Sequence, residues 1–296
     1  MIIGAIGIGA MGTPMAKNLV ADDDSVLVYD LDRAKAEAAA DNAITVADSV
    51  AAMAEECDLI VSMVSDDAAL RDVIFGPTGL LSETGFTGCF ADLSTTSLHL
   101  AHEVAAALSE AGVSFIDGGV IGGGVPAATA GTSPIVLAGD EALVAKFMPV
   151  FERLGDCDYV GAQGNAKMVK IINNHLVGII TASNAEALSL GMEAGLPLDT
   201  MVESLGDGSG ASIVLASYMG RYADEGEYGV GLIGHDLMAK DLTLACQAGD
   251  TTRSPVMFGE LARQLYIAAS RTQGPLAMFP SIFEHFRDGV SENDNA

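Results

Sequence analysis

Gly7-Ile8-Gly9-Ala10-Met11-Gly12 is a G-x-G-x-x-G run that directly follows an apolar stretch and opens a helical one. That spacing suits a dinucleotide pyrophosphate. Gly7 allows the tight turn, Gly9 lets backbone approach the phosphates, and Gly12 lets helix and strand pack closely, while the helix N-terminus faces the anion. Ala10 and Met11 complete the loop and are counted among its cofactor contacts. Asp30 stands 18 residues beyond Gly12, where a carboxylate binds the adenosine ribose hydroxyls and repels a 2′-phosphate. NAD is therefore expected over NADP, with nearby Arg33 as the feature that pulls the other way. A second constellation is cationic. The chain has six lysines (Lys17, Lys35, Lys146, Lys167, Lys170 and Lys240), few enough that each needs a reason. Lys170 and Asn174 are spaced i, i+4 and share one face of a helix.

The elements that must position these residues follow from hydrophobic patterning. Residues 1–9 read as a buried strand (Ile2, Ile3, Ala5, Ile6, Ile8), followed by a helix from about Met11 to Val20 and a polar turn, Asp22-Asp23-Asp24. Ser25–Asp30 reads as a second strand and Arg33–Ala40 as a second helix. Short apolar strands recur at Asp58–Val64, Cys89–Leu93, Val113–Ile116 and Ile135–Ala138 with helical stretches between. This alternation predicts an α/β fold with a parallel, doubly wound sheet of the Rossmann type. The rhythm stops near Gly161. From Asn165 to about Gly191 there is one long helical pattern, and only helical patterns follow. The expected division is residues 1–162 as a dinucleotide-binding domain and 163–290 as an all-α domain for substrate and oligomer contacts, joined by a long interdomain helix. The tail SENDNA is expected to fray.

Composition limits the partners. With 40 Asp+Glu against 14 Lys+Arg the formal net charge is -26, which disfavours nucleic acid and anionic membrane surfaces because phosphate binding needs a basic stripe. Hydrophobic residues make up 50% of the chain, so it is no disordered acidic tail. The acidity suits solubility or a salt-rich cytoplasm. The cysteines Cys57, Cys89, Cys157 and Cys246 are scattered without a C-x-x-C pair. They suggest neither disulfides nor a zinc site, and no metal is expected. The N-terminus has no basic segment ahead of its apolar run, and no apolar run reaches the ~18 residues of a membrane span. A cytoplasmic location is the expectation.

Four segments in order resemble the β-hydroxyacid dehydrogenase family, which includes 3-hydroxyisobutyrate dehydrogenase, tartronate semialdehyde reductase and 6-phosphogluconate dehydrogenase. GIGAMGTPMAKNL (Gly7 to Leu19) resembles its N-terminal signature, and Asp92-Leu93-Ser94-Thr95 its D-x-S-T stretch at the cofactor. GAQGNAKMVKIINN (Gly161–Asn174) resembles its catalytic segment, and LMAKDL (Leu237–Leu242) its K-D-L segment. The likeness runs from residue 1 to about 285.

The resemblance implies an NAD-dependent oxidoreductase that moves a hydride between the nicotinamide and the hydroxyl-bearing carbon of a small 3-hydroxy acid or its semialdehyde. Lys170 becomes the general acid/base. A hydroxyl yields hydride poorly while it keeps its proton, and a lysine with its pKa lowered by burial takes that proton and returns it on reduction. Asn174 holds the substrate hydroxyl or positions Lys170. Thr95 lies against the nicotinamide, Met63 and Val64 line the cofactor cleft, and Lys240 reaches toward cofactor or substrate. Lys167, one turn before Lys170, is expected to be a solvated side chain, with help to an anionic substrate as the weaker reading. His99, His102 and His285 are expected at the surface. His175 is expected in core or surface, and His235 is left open as a pocket residue.

One stretch departs from the family pattern. In DGGVIGGGVP (Asp117–Pro126) Ile121 stands where small-acid enzymes usually carry a carboxylate-holding Ser, followed by Gly122, Gly123 and Gly124. Backbone N–H groups of Gly122 and Gly123 still suit an anion, but the hydroxyl is lost, and a bulkier or more apolar substrate is implied. Two rivals remain. The first is an imine reductase-like enzyme, which shares the fold but generally replaces the lysine. The second is a non-catalytic dinucleotide-binding protein, for which the Lys170/Asn174 pair is surplus. Association through the second domain, as a homodimer or homotetramer, is implied as well.

Overall fold

The computed structural model describes residues 1–21, 24–82, 85–226, 228 and 233–291. Asp22 and Asp23 of the expected turn, and residues 292–296 of the tail, lie outside them. Two compact units, Met1–Lys170 and Ile171–Ala296, divide inside one long helix.

In the first unit, eight strands alternate with helices. The strands are β1 (Ile2–Ile6), β2 (Ser25–Tyr29), β3 (Ile44–Val46), β4 (Leu59–Ser62), β5 (Cys89–Asp92), β6 (Ser114–Val120), β7 (Ile135–Gly139) and β8 (Cys157–Tyr159). The helices are α1 (Gly12–Asn18), α2 (Arg33–Ala39), α3 (Val50–Glu56), α4 (Asp67–Phe75), α5 (Leu98–Glu110), α6 (Gly124–Ala130), α7 (Glu141–Phe151) and the start of α8 (Asn165–Glu193). Helices α2, α3, α4, α5 and α7 open on Asp32, Ser49, Asp66, Ser97 and Asp140. Each of these side chains accepts a backbone N–H that the first turn leaves unpaired. The central strands are largely apolar because helices cover both faces of the sheet. Leu59, Val61, Cys89 and Ala91 enter one core while Ile60 and Phe90 enter the opposite one.

The strand order is β3-β2-β1-β4-β5-β6-β7-β8. It reverses direction between β1 and β4, the point at which open α/β sheets bind ligands beyond the carboxyl ends of their strands. The all-parallel expectation fails at β7, which runs antiparallel to β6, although β8 is again parallel to β7. A parallel neighbour needs a connection that returns to the opposite end of the sheet. Here the connection closes on itself, with Ile121 N–H donating to the Pro134 carbonyl at 2.9 Å, so the chain re-enters where it left. The three-residue strands β3 and β8 had no periodic signal to announce them.

The second unit continues α8 and adds α9 (Leu198–Gly206), a π-helical turn at Leu215–Met219, α10 (Gly220–Glu225), α11 (His235–Thr252), α12 (Met257–Gln273) and α13 (Ile282–Ser291). Among the described residues its β-type pairing is a single bridge, Gly234 to Met278. On α12 the residues Gly259, Ala262, Tyr266 and Ala269 repeat at helical spacing and form its buried stripe. They pack with Leu242, Phe279 and Phe283 into a core separate from those of the sheet.

Candidate active site

The three loop glycines meet three different surroundings. Gly7 has φ +88°, and a Cβ on it would stand 2.3 Å from the Met63 carbonyl oxygen. A Cβ on Gly12 would stand 1.8 Å from the Gly7 carbonyl oxygen, so helix and strand could not close. On Gly9 a Cβ would meet nothing within 4 Å, which leaves that backbone open to a ligand. This is the arrangement a bound dinucleotide requires: closed packing at the first and third glycines and free approach at the second. Asp30 follows β2, and its Oδ2 accepts the Ile8 N–H at 2.8 Å while Oδ1 accepts the Asp32 N–H at 2.9 Å. The carboxylate therefore holds the glycine loop itself. Arg33 is occupied by acids, at 2.9 Å from Glu37 and 3.0 Å from Asp48.

Met63 and Val64 extend from the end of β4 beside Gly7, and Val64 N–H donates to Ser94 Oγ at 2.8 Å. Thr95 follows, half-buried, two residues before the α5 cap Ser97. Beneath them lies a buried ionic network. Asp92 and Asp117 are register neighbours on β5 and β6, and both are fully buried. Lys167 is the cation between them, at 1% exposure, with its Nζ 2.9 Å from Asp92 Oδ2 and 3.7 Å from Asp117 Oδ1. The expectation of a solvated Lys167 is corrected: two carboxylates left side by side in a sheet would otherwise repel at great cost. Burial pushes the Asp117 carboxyl above the usual range, opposed by Lys167.

Lys170 lies one turn further along α8. A Cβ on Gly119 would stand 3.0 Å from the Lys170 Cβ, so the bare strand lets this part of α8 lie against β6. Ile121, two residues on, shares that face of β6 and packs with Val136, Ala138, Ala166 and Val169. Gly122 and Gly123 are tightly packed, since added Cβ atoms would stand 3.1 Å from Pro134 Cγ and 2.2 Å from Ala127 Cβ.

In the helical unit, buried Asn174 donates from Nδ2 to Asp241 Oδ2 at 2.7 Å and accepts from Asn173 at 3.0 Å. Because a carboxylate only accepts, the amino end of the Asn174 amide must face Asp241. Lys240 Nζ lies 3.2 Å from Asp241 Oδ1. Asn174, Lys240 and Asp241 are thus brought together. His235 is fully buried, with Nε2 2.8 Å from Gln273 Oε1 and 3.0 Å from Ser281 Oγ. His99 and His102 are exposed, and half-buried His175 lies against Gly259.

Asp92, Asp117 and Asp241 were not singled out as site residues from sequence. The available signal for Asp92 was an acid ending an apolar strand, and for Asp117 an acid inside one, both places that demand a buried partner.

Two family models together span nearly the whole chain. The NAD binding domain of 6-phosphogluconate dehydrogenase matches residues 2–162, and the NAD-binding region of NADP-dependent 3-hydroxyisobutyrate dehydrogenase matches 164–283. The chain belongs to the β-hydroxyacid dehydrogenase family. Within that family it is 34% identical to 2-(hydroxymethyl)glutarate dehydrogenase of Eubacterium barkeri, over 89% of this chain and 87% of the relative. It is 31% identical to mouse mitochondrial 3-hydroxyisobutyrate dehydrogenase, over 97% and 87%. The solved structure of Mycobacterium tuberculosis 3-hydroxyisobutyrate dehydrogenase with L-serine superposes with a TM-score of 0.87 at 26% identity, covering 97% of this chain and 99% of that one. This β-hydroxyacid dehydrogenase is an NAD(P)-dependent oxidoreductase of CH–OH groups.

Proposed function

We propose that the enzyme interconverts a small 3-hydroxy acid and its oxo form with NAD, using Lys170 as general acid/base. The observation that carries this reading is the placement of Lys170 against Gly119, at the carboxyl ends of the strands that bear Gly7–Gly12, Met63, Val64 and Thr95. When bound, the nicotinamide supplies the hydride acceptor or donor. The glycine loop accommodates the pyrophosphate, and Asp30 faces the adenosine ribose. Lys170 Nζ takes the hydroxyl proton during oxidation and returns it during reduction, which keeps the oxygen's charge matched as the carbon changes oxidation state. Asn174, its amide fixed by Asp241, orients the substrate oxygen or the lysine, and Lys240 serves the cofactor side. Ile121 forms an apolar wall beside the backbone N–H groups of Gly122 and Gly123, which hold the substrate carboxylate. The wall favours a substrate bulkier than the smallest hydroxy acids, and the enzyme from Eubacterium barkeri acts on one such branched acid by its name.

NAD over NADP is supported by Asp30 and by the capture of Arg33 between Glu37 and Asp48. The domains are 1–162 and 163–290, supported by family models that meet between residues 162 and 164. A homo-oligomer through the helical unit is supported by exposed Leu176 and Leu190 on α8 and by Met257, Phe258 and Leu261 on α12. A cytoplasmic location is supported by four unpaired cysteines. The imine reductase-like and non-catalytic alternatives have no use for the Lys170 and Asn174 that this chain carries.

Cofactor absorbance followed with 3-hydroxy acids, semialdehydes and cyclic imines, under NAD and NADP, separates these readings. Lys170→Ala is expected to lower kcat about 10²- to 10⁴-fold while NAD still binds. Near-normal turnover would overturn the assignment.

A further inference from the structure

Lys167 is used by the fold in a way that solvent or substrate contact does not explain. Its ammonium donates to the Asp92 carbonyl at 2.7 Å and the Gly118 carbonyl at 2.7 Å, and it is ion-paired with Asp92 Oδ2 at 2.9 Å. Buried this far, the ammonium offers no open face to a ligand. Each partner leads to a different part of the site. The Asp92 carboxylate accepts from Ser62 Oγ at 2.7 Å and from Ser94 N–H at 3.1 Å, and Ser94 in turn holds Val64. Asp117 Oδ2 accepts the N–H groups of Gly164 at 3.0 Å and Lys167 at 3.3 Å, which fixes the first turn of α8. The ends of β4, β5 and β6 and the start of α8 therefore meet at one ammonium.

We propose that Lys167 is a positioning residue whose buried ammonium ties β5 and β6 to the first turn of α8 and so sets Lys170 against Gly119. The inference rests on Lys170 being the acid/base group. A helix anchored only by its cap can slide or roll on the strand. The second anchor, one turn before Lys170, removes that freedom, and Gly119 allows the close approach that results. Displacing a reacting group by about 1 Å costs on the order of 100-fold in rate, so a tether this near the acid/base group acts on kcat.

Two measurements test it. Reductive methylation of the native enzyme, mapped by peptide mass, is expected to modify exposed Lys17, Lys35 and Lys146 and to spare Lys167 until the chain is denatured. Native labelling of Lys167 at the rate of Lys35 would overturn the tether. In the full chain, Lys167→Met is expected to lower kcat about 10- to 100-fold, with the KM for the acid and the Kd for NAD within about threefold. Lys167→Gln, which keeps a donor for the two carbonyls, retains more of kcat than the Met variant and decides the matter if that variant does not fold. Wild-type kcat with a lowered Tm would reduce Lys167 to a stability role. A raised KM with kcat kept would make it a substrate contact. Either result refutes the proposal. Failure of the acid/base reading shows separately, as turnover retained in Lys170→Ala.

Discussion

His235 illustrates how burial changes the chemistry of one residue. Loss of water holds its imidazole below the ordinary histidine range, with His285 adding to the effect and Gln273 and Asp236 opposing it. The unfolded chain takes up a proton near pH 6.5, whereas the folded one resists until lower pH. Stability linked to His235 is thus complete above that value and is lost as pH falls through the folded pKa, with a slope of at most about 1.4 kcal/mol per pH unit. Chemical denaturation between pH 7 and 5 is expected to show a shallower loss for His235→Gln than for the wild type. Equal slopes would mean that the ring titrates freely in the fold. The pocket role left open for His235 has no support in its contacts, which are to the core of the helical unit. Asp241 accepts the Asn174 amide N–H and so fixes which end of that amide it faces.

Under the proposed preference for NAD, the loop between β2 and α2 is the element that would choose the cofactor. Asp30 accepts the Ile8 and Asp32 N–H groups, which on that reading would hold its carboxylate where a 2′-phosphate would sit. Arg33, the natural partner for that phosphate, is drawn sideways by Glu37 within α2 and by Asp48 before α3. These pairs are exposed and screened by solvent, so each holds Arg33 only weakly. Releasing both in Glu37→Ala/Asp48→Ala is expected to raise kcat/KM for NADP roughly 5- to 10-fold relative to NAD, read from initial rates with each cofactor. No change would place discrimination in Asp30 alone. The loop was legible in sequence because its parts are close in the chain. The capture of Arg33 was only half legible, since Glu37 is one helical turn away but Asp48 belongs to the next element.

For the whole molecule the dominant fact is a formal charge of -26. Mutual repulsion among surface carboxylates opposes compaction, and salt shortens its range from about 10 Å at 0.1 M to about 3 Å at 1 M. The Tm is expected to rise by several degrees between about 0.05 and 1 M KCl, measured by calorimetry. A flat or falling Tm would show that the acids are already balanced locally and would remove the argument for a salt-rich source. Against this background, Lys167 has lost access to solvent and Lys240 is drawn into an ion pair with a buried acid. Lys167 lies between Asp92 and Asp117, and Lys240 lies beside Asp241.

Features that depend on short spacing were legible along the chain. These were the strand–glycine–helix unit with Asp30, the helical face shared by Lys170 and Asn174, and the change from βα alternation to helices near Gly161. Each follows from hydrophobic period and local geometry, which neighbouring residues settle between them. The tertiary structure alone decided the reversal of β7, the packing of Ile121, the pairing of Asn174 with Asp241 and the burial of Lys167. Asp92 and Asp117 lie 75 and 50 positions before Lys167. A charge finds partners at such a distance only after the sheet has set its register, so no local pattern could announce that the lysine expected in solvent is the one most deeply buried.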